Sequence, residues 1–204
     1  EYASRYREKG YWEDRSLRDQ FADNLFGPYA DRVAVIDGDV SVTYAEIDAT
    51  AQKLALNLWD LGLRPLDRVV VMLPNVIEFS YLYFALQKIG AIPICALATH
   101  RYHELSQFTE IAQAKMCIAP DRQRDFEFAP MIARVQAENP CMTQAIIYGD
   151  APDGFLSFAE LMDREPVATA DVLDAVEIDP TDPAVFQLSG GTTGVPKLIP
   201  RTHN

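Results

Sequence analysis

Ten residues, Leu188-Ser189-Gly190-Gly191-Thr192-Thr193-Gly194-Val195-Pro196-Lys197, bring three glycines, three hydroxyls and one lysine together. A glycine backbone bends so that several N–H groups aim at one point, and no Cβ blocks close approach. Ser189, Thr192 and Thr193 add hydroxyl donors, and Lys197 adds a positive charge. This set of groups suits a polyphosphate. It is not a Walker A loop, in which lysine directly follows a glycine and precedes serine or threonine. Here Val195-Pro196 separates Gly194 from Lys197, and Leu198 follows.

A loop of this kind needs rigid elements on either side. Ala184-Val185-Phe186-Gln187-Leu188 reads as the strand that delivers it, and Leu198-Ile199-Pro200 as a strand that leaves it. A strand–loop–strand clasp is therefore expected, not a loop capping a helix. Upstream, Asp37-Gly38-Asp39 between two β-rich runs predicts a hairpin over 32–43. Thr43-Tyr44-Ala45-Glu46 fits a capping box. It opens a helix with Ile47, Leu54, Leu58 and Leu61 on one face, closed by Gly62. Strands are expected at 68–73, 92–97, 115–119 and 144–148, separated by helices at 75–89, 102–113 and 130–138. Continuous apolar strands alternating with helices predict an α/β fold with a mainly parallel sheet of βαβ units. The expected organisation is a helical lead-in (1–30), an α/β body (31–162), an acidic proline-containing connection (163–183) and the strand–loop–strand unit (184–204). The acidic run Asp171–Asp182 reads as solvated, and the cluster Phe79, Tyr81, Tyr83 and Phe84 as core packing on a helix.

Other chemistry-bearing residues give weaker signals. His100, His103 and His203 have no partner at metal-ligand spacing. His100-Arg101 follows the carboxyl end of a strand, where α/β sheets bind ligands, but a structural turn is the favoured reading of the pair over a substrate contact. No Ser-His-Asp or Cys-His nucleophile set can be assembled, so no catalytic residue and no metal ligand is assigned. Cys95, Cys117 and Cys141 are far apart and odd in number, with no C-x-x-C pair. That argues against zinc and for free thiols, Cys95 and Cys117 being expected buried, in a reducing cytoplasm.

Composition sets the outer bounds. The 204 residues are 49% apolar and 24% charged, ordinary for a globular protein with a sizeable core. A net charge of −12 argues against a nucleic-acid partner. No run of ~18 apolar residues suggests a membrane span.

The glycine-rich string resembles the signature loop of adenylate-forming (AMP-binding) enzymes, the superfamily of acyl-CoA synthetases, luciferases and peptide-synthetase adenylation domains. Their general loop reads Ser-Gly-Thr-Thr-Gly-x-Pro-Lys-Gly. Gly190 replaces the usual serine and Leu198 the last glycine. With Ile199-Pro200-Arg201-Thr202-His203-Asn204, Arg5-Tyr6-Arg7-Glu8-Lys9-Gly10-Tyr11-Trp12 and Ala98-Thr99-His100-Arg101, these departures resemble the stand-alone aryl-acid ligases of siderophore pathways. The resemblance implies ATP-dependent activation of 2,3-dihydroxybenzoate or salicylate, the former ahead, to aryl-AMP. Transfer to the phosphopantetheine thiol of an aryl carrier protein would follow, in nonribosomal peptide synthesis. It implies ATP and Mg²⁺ as cofactors. Ser189, Gly190, Gly191, Thr192, Thr193, Gly194 and Lys197 would bind the ATP phosphates, with His203, His100 and Arg101 as accessory candidates. His203 would fix the start of the helix after the loop. Family enzymes run to more than twice this length, so the 204 residues read as the N-terminal part of the large domain, without the C-terminal domain and inactive alone. The alternatives are an acyl-CoA ligase, an amino-acid adenylation domain, or a nucleotide-binding fragment without activity.

Overall fold

The structure, a computed structural model, describes residues 2–189 and 197–204. The lead-in forms two short helices, α1 (Tyr2–Glu8) and α2 (Leu17–Phe21), and α2 runs on into a π-helical turn over Ala22–Phe26. Ser16 starts α2 by accepting the Asp19 N–H at 3.1 Å. The expected hairpin is β1 (Val33–Asp37) and β2 (Val40–Thr43). Asp37 pairs with Val40, so the turn residues are Gly38-Asp39. Gly38 takes φ 59°, where a tight hairpin turn calls for glycine.

The capping box opens α3 (Tyr44–Asp60): Glu46 accepts the Thr43 N–H at 2.7 Å, and Thr43 accepts the Glu46 N–H at 3.2 Å. The alternation then proceeds through β3 (Arg68–Val71), α4 (Ile77–Ile89), β4 (Ile92–Cys95), α5 (Tyr102–Ala112) and β5 (Met116–Pro120). A small hairpin, β6 (Arg122–Gln123) and β7 (Phe126–Glu127), precedes α6 (Ala129–Glu138) and β8 (Gln144–Tyr148). The chain continues through β9 (Leu156–Ser157), α7 (Phe158–Asp163), α8 (Asp171–Asp174), β10 (Pro183–Ser189) and β11 (Lys197–Thr202).

One seven-stranded sheet runs in the order β11-β10-β4-β3-β5-β8-β9. Its pairings are parallel except β10–β11, which is antiparallel. The chain is thus an α/β protein with a mainly parallel sheet covered by helices. Period-two alternation explains why the strands read as continuous apolar runs. Val69, Val71, Ile118 and Ile146 face α3, α4 and α7, whereas Val70, Cys117, Ala119 and Ile147 face α5 and α6. Each fully buried aliphatic side chain in these layers contributes about 1.5–3 kcal/mol.

The segment 163–183 departs from a plain surface connection. Leu173 and Val176 are buried, and Ile178 packs against Gly90. Asp60 accepts the Val167 and Ala168 N–H groups at 2.6 and 3.0 Å. The acidic side chains Asp171, Asp174, Glu177 and Asp179 do face water. The segment is amphipathic at short range: α8 turns its apolar positions onto the core and leaves its charges outside. Phe79, Tyr81 and Phe84 pack partly buried on the core as expected. Cys117 is buried, but Cys95 is only half-buried because it sits at the open end of β4.

Candidate functional site

The sheet's carboxyl edge is where the chemistry-bearing segments meet. β3 and β4 are adjacent and parallel. After β3 the chain crosses to α4 on one face; after β4 it crosses to α5 on the other. Divergence of two neighbouring connections opens a crevice at the carboxyl ends, the position at which open α/β sheets bind ligands. A cleft of about 480 Å³ lies there, lined by Leu73, Asn75, Val76, Ile77 and Phe79 after β3, Cys95, Ala96 and Leu97 from β4, and Val35, Ile36 and Asp37 from the hairpin. Among the described residues its lining is largely apolar, with one carboxylate, one amide and no Lys, Arg or His. Such a surface suits an apolar group. No local motif marks these residues; the pairing of β3 with β4 and the hairpin lying over them bring them together.

Beside this cleft runs β10. Phe186 pairs with Ile94 in parallel register, and β10 runs on from there toward the carboxyl edge to end at Ser189. Ser189 then pairs with Lys197 across the antiparallel β10–β11 ladder. The expected strand–loop–strand arrangement is therefore present, and its mouth opens at the carboxyl edge. Ser189 is half-buried and Lys197 is exposed. Gly190, Gly191, Thr192, Thr193 and Gly194, the remaining candidate phosphate ligands, lie outside the described residues.

His100 and Arg101 build the turn from β4 into α5. His100 Nδ1 accepts the Leu97 N–H at 3.1 Å, and its ring meets Phe108 edge-on at 5.3 Å. Arg101 donates to the Ala98 and His100 carbonyls at 2.9 and 2.8 Å, and its guanidinium lies 4.0 Å from the Phe126 ring centroid. Burial pushes the His100 pKa down, opposed by Glu104. These contacts give the pair a structural task.

His203 makes a long-range contact that the sequence reading does not name. It is 4% exposed, and its Nδ1 accepts the Leu17 N–H at 3.2 Å. It therefore fixes the start of α2 in the lead-in. The cause is the antiparallel course of β11, which carries residues 202–204 back to the amino edge of the sheet, with Thr202 opposite Pro183.

Burial lowers the His203 pKa from its ordinary 6.5, with Arg18 acting the same way and Asp182 and Asp19 opposing. A depressed folded value means that the unfolded chain takes up the proton first. The stabilisation is complete above the ordinary value and is lost as pH falls through it toward the folded value. His100 adds a share of the same sign. We expect the urea midpoint to hold above pH ~7 and to fall as the pH drops below the ordinary histidine value, more steeply in the parent than in His203→Asn. Parallel profiles for the two proteins would remove His203 from this role.

Among the described residues, no group of three or more His, Cys, Asp or Glu could hold a metal ion, and no helix is long and apolar enough to cross a membrane. The three cysteines are free, and burial pushes the Cys117 thiol up to about 12, far from a reactive thiolate.

Comparison with known proteins agrees with this geometry. The family model described as AMP-binding enzyme matches residues 25–204. The 2,3-dihydroxybenzoate-AMP ligase of Bacillus subtilis is 39% identical over 204 residues, 100% of this chain and 36% of that protein. The salicyl-AMP ligase / salicyl-S-ArCP synthetase of Mycobacterium tuberculosis is 38% identical over 207 residues, 99% of this chain and 36% of that protein. The apo structure of MbtA from Mycobacterium smegmatis superposes with a TM-score of 0.85 at 39% identity, covering 98% of this chain and 36% of that one. The chain thus spans 36% of the length of the curated relatives it matches.

Proposed function

The chain belongs to the AMP-binding enzyme family, and from that premise we propose that its protein is an aryl-acid–AMP ligase of siderophore biosynthesis. It activates 2,3-dihydroxybenzoate or salicylate with ATP and passes the aryl group to the phosphopantetheine thiol of an aryl carrier protein. One observation carries this reading. Relatives aligned along the whole chain at 38–39% identity are aryl-acid–AMP ligases by name. The placement of Ser189 and Lys197 at the carboxyl edge supports it.

The chemistry has two halves. A carboxylate oxygen attacks the α-phosphorus of ATP, and the bond to pyrophosphate breaks. The carrier thiolate then attacks the acyl carbon, and AMP leaves. AMP is needed because a carboxylate is a poor electrophile with a poor leaving group. The first half is a substitution at phosphorus, so positioning and charge neutralisation dominate. We assign that task to the 188–197 segment. Its backbone N–H groups and the Ser189, Thr192 and Thr193 hydroxyls would grip the β- and γ-phosphates. Lys197 would add charge near them, without a catalytic proton transfer. Mg²⁺ would enter with ATP and share the phosphate charge with this segment. The apolar cleft beside β10 would keep water from one flank of the hairpin. Free cysteines fit a cytoplasmic setting.

Incubating the full-length protein with ATP, salicylate or 2,3-dihydroxybenzoate and a phosphopantetheinylated aryl carrier protein should leave the carrier heavier by one aryl group in mass spectrometry. The apo-carrier should stay unmodified. Release of free aryl-AMP with no loading of the holo-carrier would refute the transfer half while leaving adenylation standing.

A further inference from the structure

The family match begins at residue 25 and assigns nothing to the lead-in before it. Yet the lead-in holds one end of the candidate phosphate hairpin. Asp14 donates its backbone N–H to Asn204 Oδ1 at 3.0 Å, and Asn204 Nδ2 returns a bond to the Asp14 carboxylate at 3.4 Å. Leu17 N–H donates to His203 at 3.2 Å, and Gln20 Nε2 reaches the His203 carbonyl at 3.5 Å. Arg18 donates to the Leu173 carbonyl at 3.2 Å, so the same segment is also fastened to the connection that leads into β10. Ser16, at the centre of these contacts, is 1% exposed.

The strand that receives this support needs it. Among the described residues β11 pairs with β10. It contains Pro200, which cannot donate to a ladder, and the pairing is irregular between Pro183 and Val185, next to the clasped end. A strand with a missing donor and a bulge frays unless its end is tied. Its other end is Lys197, opposite Ser189 at the mouth of the hairpin.

We propose that the lead-in is a positioning element for the nucleotide: by pinning His203 and Asn204 it sets the register and tilt of β11, and so where Lys197 and the loop mouth stand. His203 and Asn204 are positioning residues that act through the strand and do not touch substrate. The proposal rests on the reading of 188–197 as the phosphate clasp.

The test uses the full-length protein with His203→Leu, which deletes the acceptor; His203→Asn, whose amide oxygen can replace it; and Asn204→Ala, at the less buried half of the clasp. Amide exchange across 197–202 should quicken about tenfold in His203→Leu and Asn204→Ala and stay near the parent in His203→Asn. In ATP–pyrophosphate exchange, the KM for ATP should rise about fivefold or more in the first two, with kcat within about twofold and His203→Asn close to the parent. A merely structural role, read below the melting transition, would leave KM unchanged. If His203→Leu does not fold, Asn204→Ala carries both readouts. Unaltered amide exchange overturns the clasp. Quickened exchange with an unaltered KM for ATP overturns its link to the nucleotide. A parent that shows no ATP–pyrophosphate exchange sinks the phosphate reading instead, and amide exchange still decides whether the clasp holds β11.

Discussion

Replacing Thr192 and Thr193 together by alanine should lower ATP-dependent turnover of the full-length protein at least tenfold. The two hydroxyls are donors to a polyphosphate in our reading, and hydrogen bonds to charged groups are worth about 1.5–3 kcal/mol each. Strict additivity would give a loss of about a hundredfold or more, but the backbone N–H groups of the same loop remain in the double variant and share the charge. Tenfold is therefore the lower bound. The loss should fall on kcat/KM for ATP and leave the KM for the aryl acid nearly untouched, because the threonines would meet only the phosphates. Steady-state exchange at varied ATP and at varied acid separates the two. Kinetics in ATP equal to those of the parent would remove the loop from the site. Ser189→Ala is expected to cost less, since a serine beside glycines can satisfy its hydroxyl on its own backbone.

Much of the scaffold could be read from the chain because its signals are local. The Asp-Gly hairpin, the Thr43–Glu46 capping box and the stop of α4 at Gly90, which takes φ 74°, each depend on neighbours within a few residues. The buried strands declared themselves as uninterrupted apolar runs because helices cover both faces of the sheet. What escaped depends on distance along the chain. The partner of His203 is Leu17, 186 residues away, and nothing in the Thr202-His203-Asn204 string points back to the lead-in. The cleft at the carboxyl edge draws on three separate segments, two brought together by the pairing of β3 with β4 and the third by the hairpin lying over them. The 163–183 segment looked like a linker because its charges and prolines outnumber its apolar residues; four of the latter, Val172, Leu173, Val176 and Ile178, are spaced to dock it. The strands β6, β7 and β9 have two residues each, too few for any period to show.

In our reading glycines, hydroxyls and a lysine in one short run point to a phosphate, a proposal the sequence alone can make. The place of the two ends of that run, Ser189 and Lys197, follows from β10 lying parallel to β4 and antiparallel to β11. His100 and Arg101 show the reverse case. Their position at a strand's carboxyl end suits a ligand, yet their polar atoms are spent on the turn that carries them.

The largest discrimination expected of this protein lies between carboxylic acids. If it is an aryl-acid–AMP ligase, its acid site must read the 2-hydroxyl common to 2,3-dihydroxybenzoate and salicylate. A site built to hydrogen-bond a substrate hydroxyl rejects the analogue lacking it by up to about 10⁴-fold, whereas one apolar group more or less changes kcat/KM by only about 10–200-fold. ATP–pyrophosphate exchange by the full-length protein, run with 2,3-dihydroxybenzoate, salicylate, benzoate, a long-chain fatty acid and the common amino acids, therefore tests the account most directly. The predicted result is the highest kcat/KM for an ortho-hydroxylated benzoate, with 2,3-dihydroxybenzoate ahead of salicylate and benzoate lower by about a hundredfold or more. The highest kcat/KM for an amino acid or a fatty acid would contradict the aryl assignment, and no exchange with any acid would contradict adenylation itself.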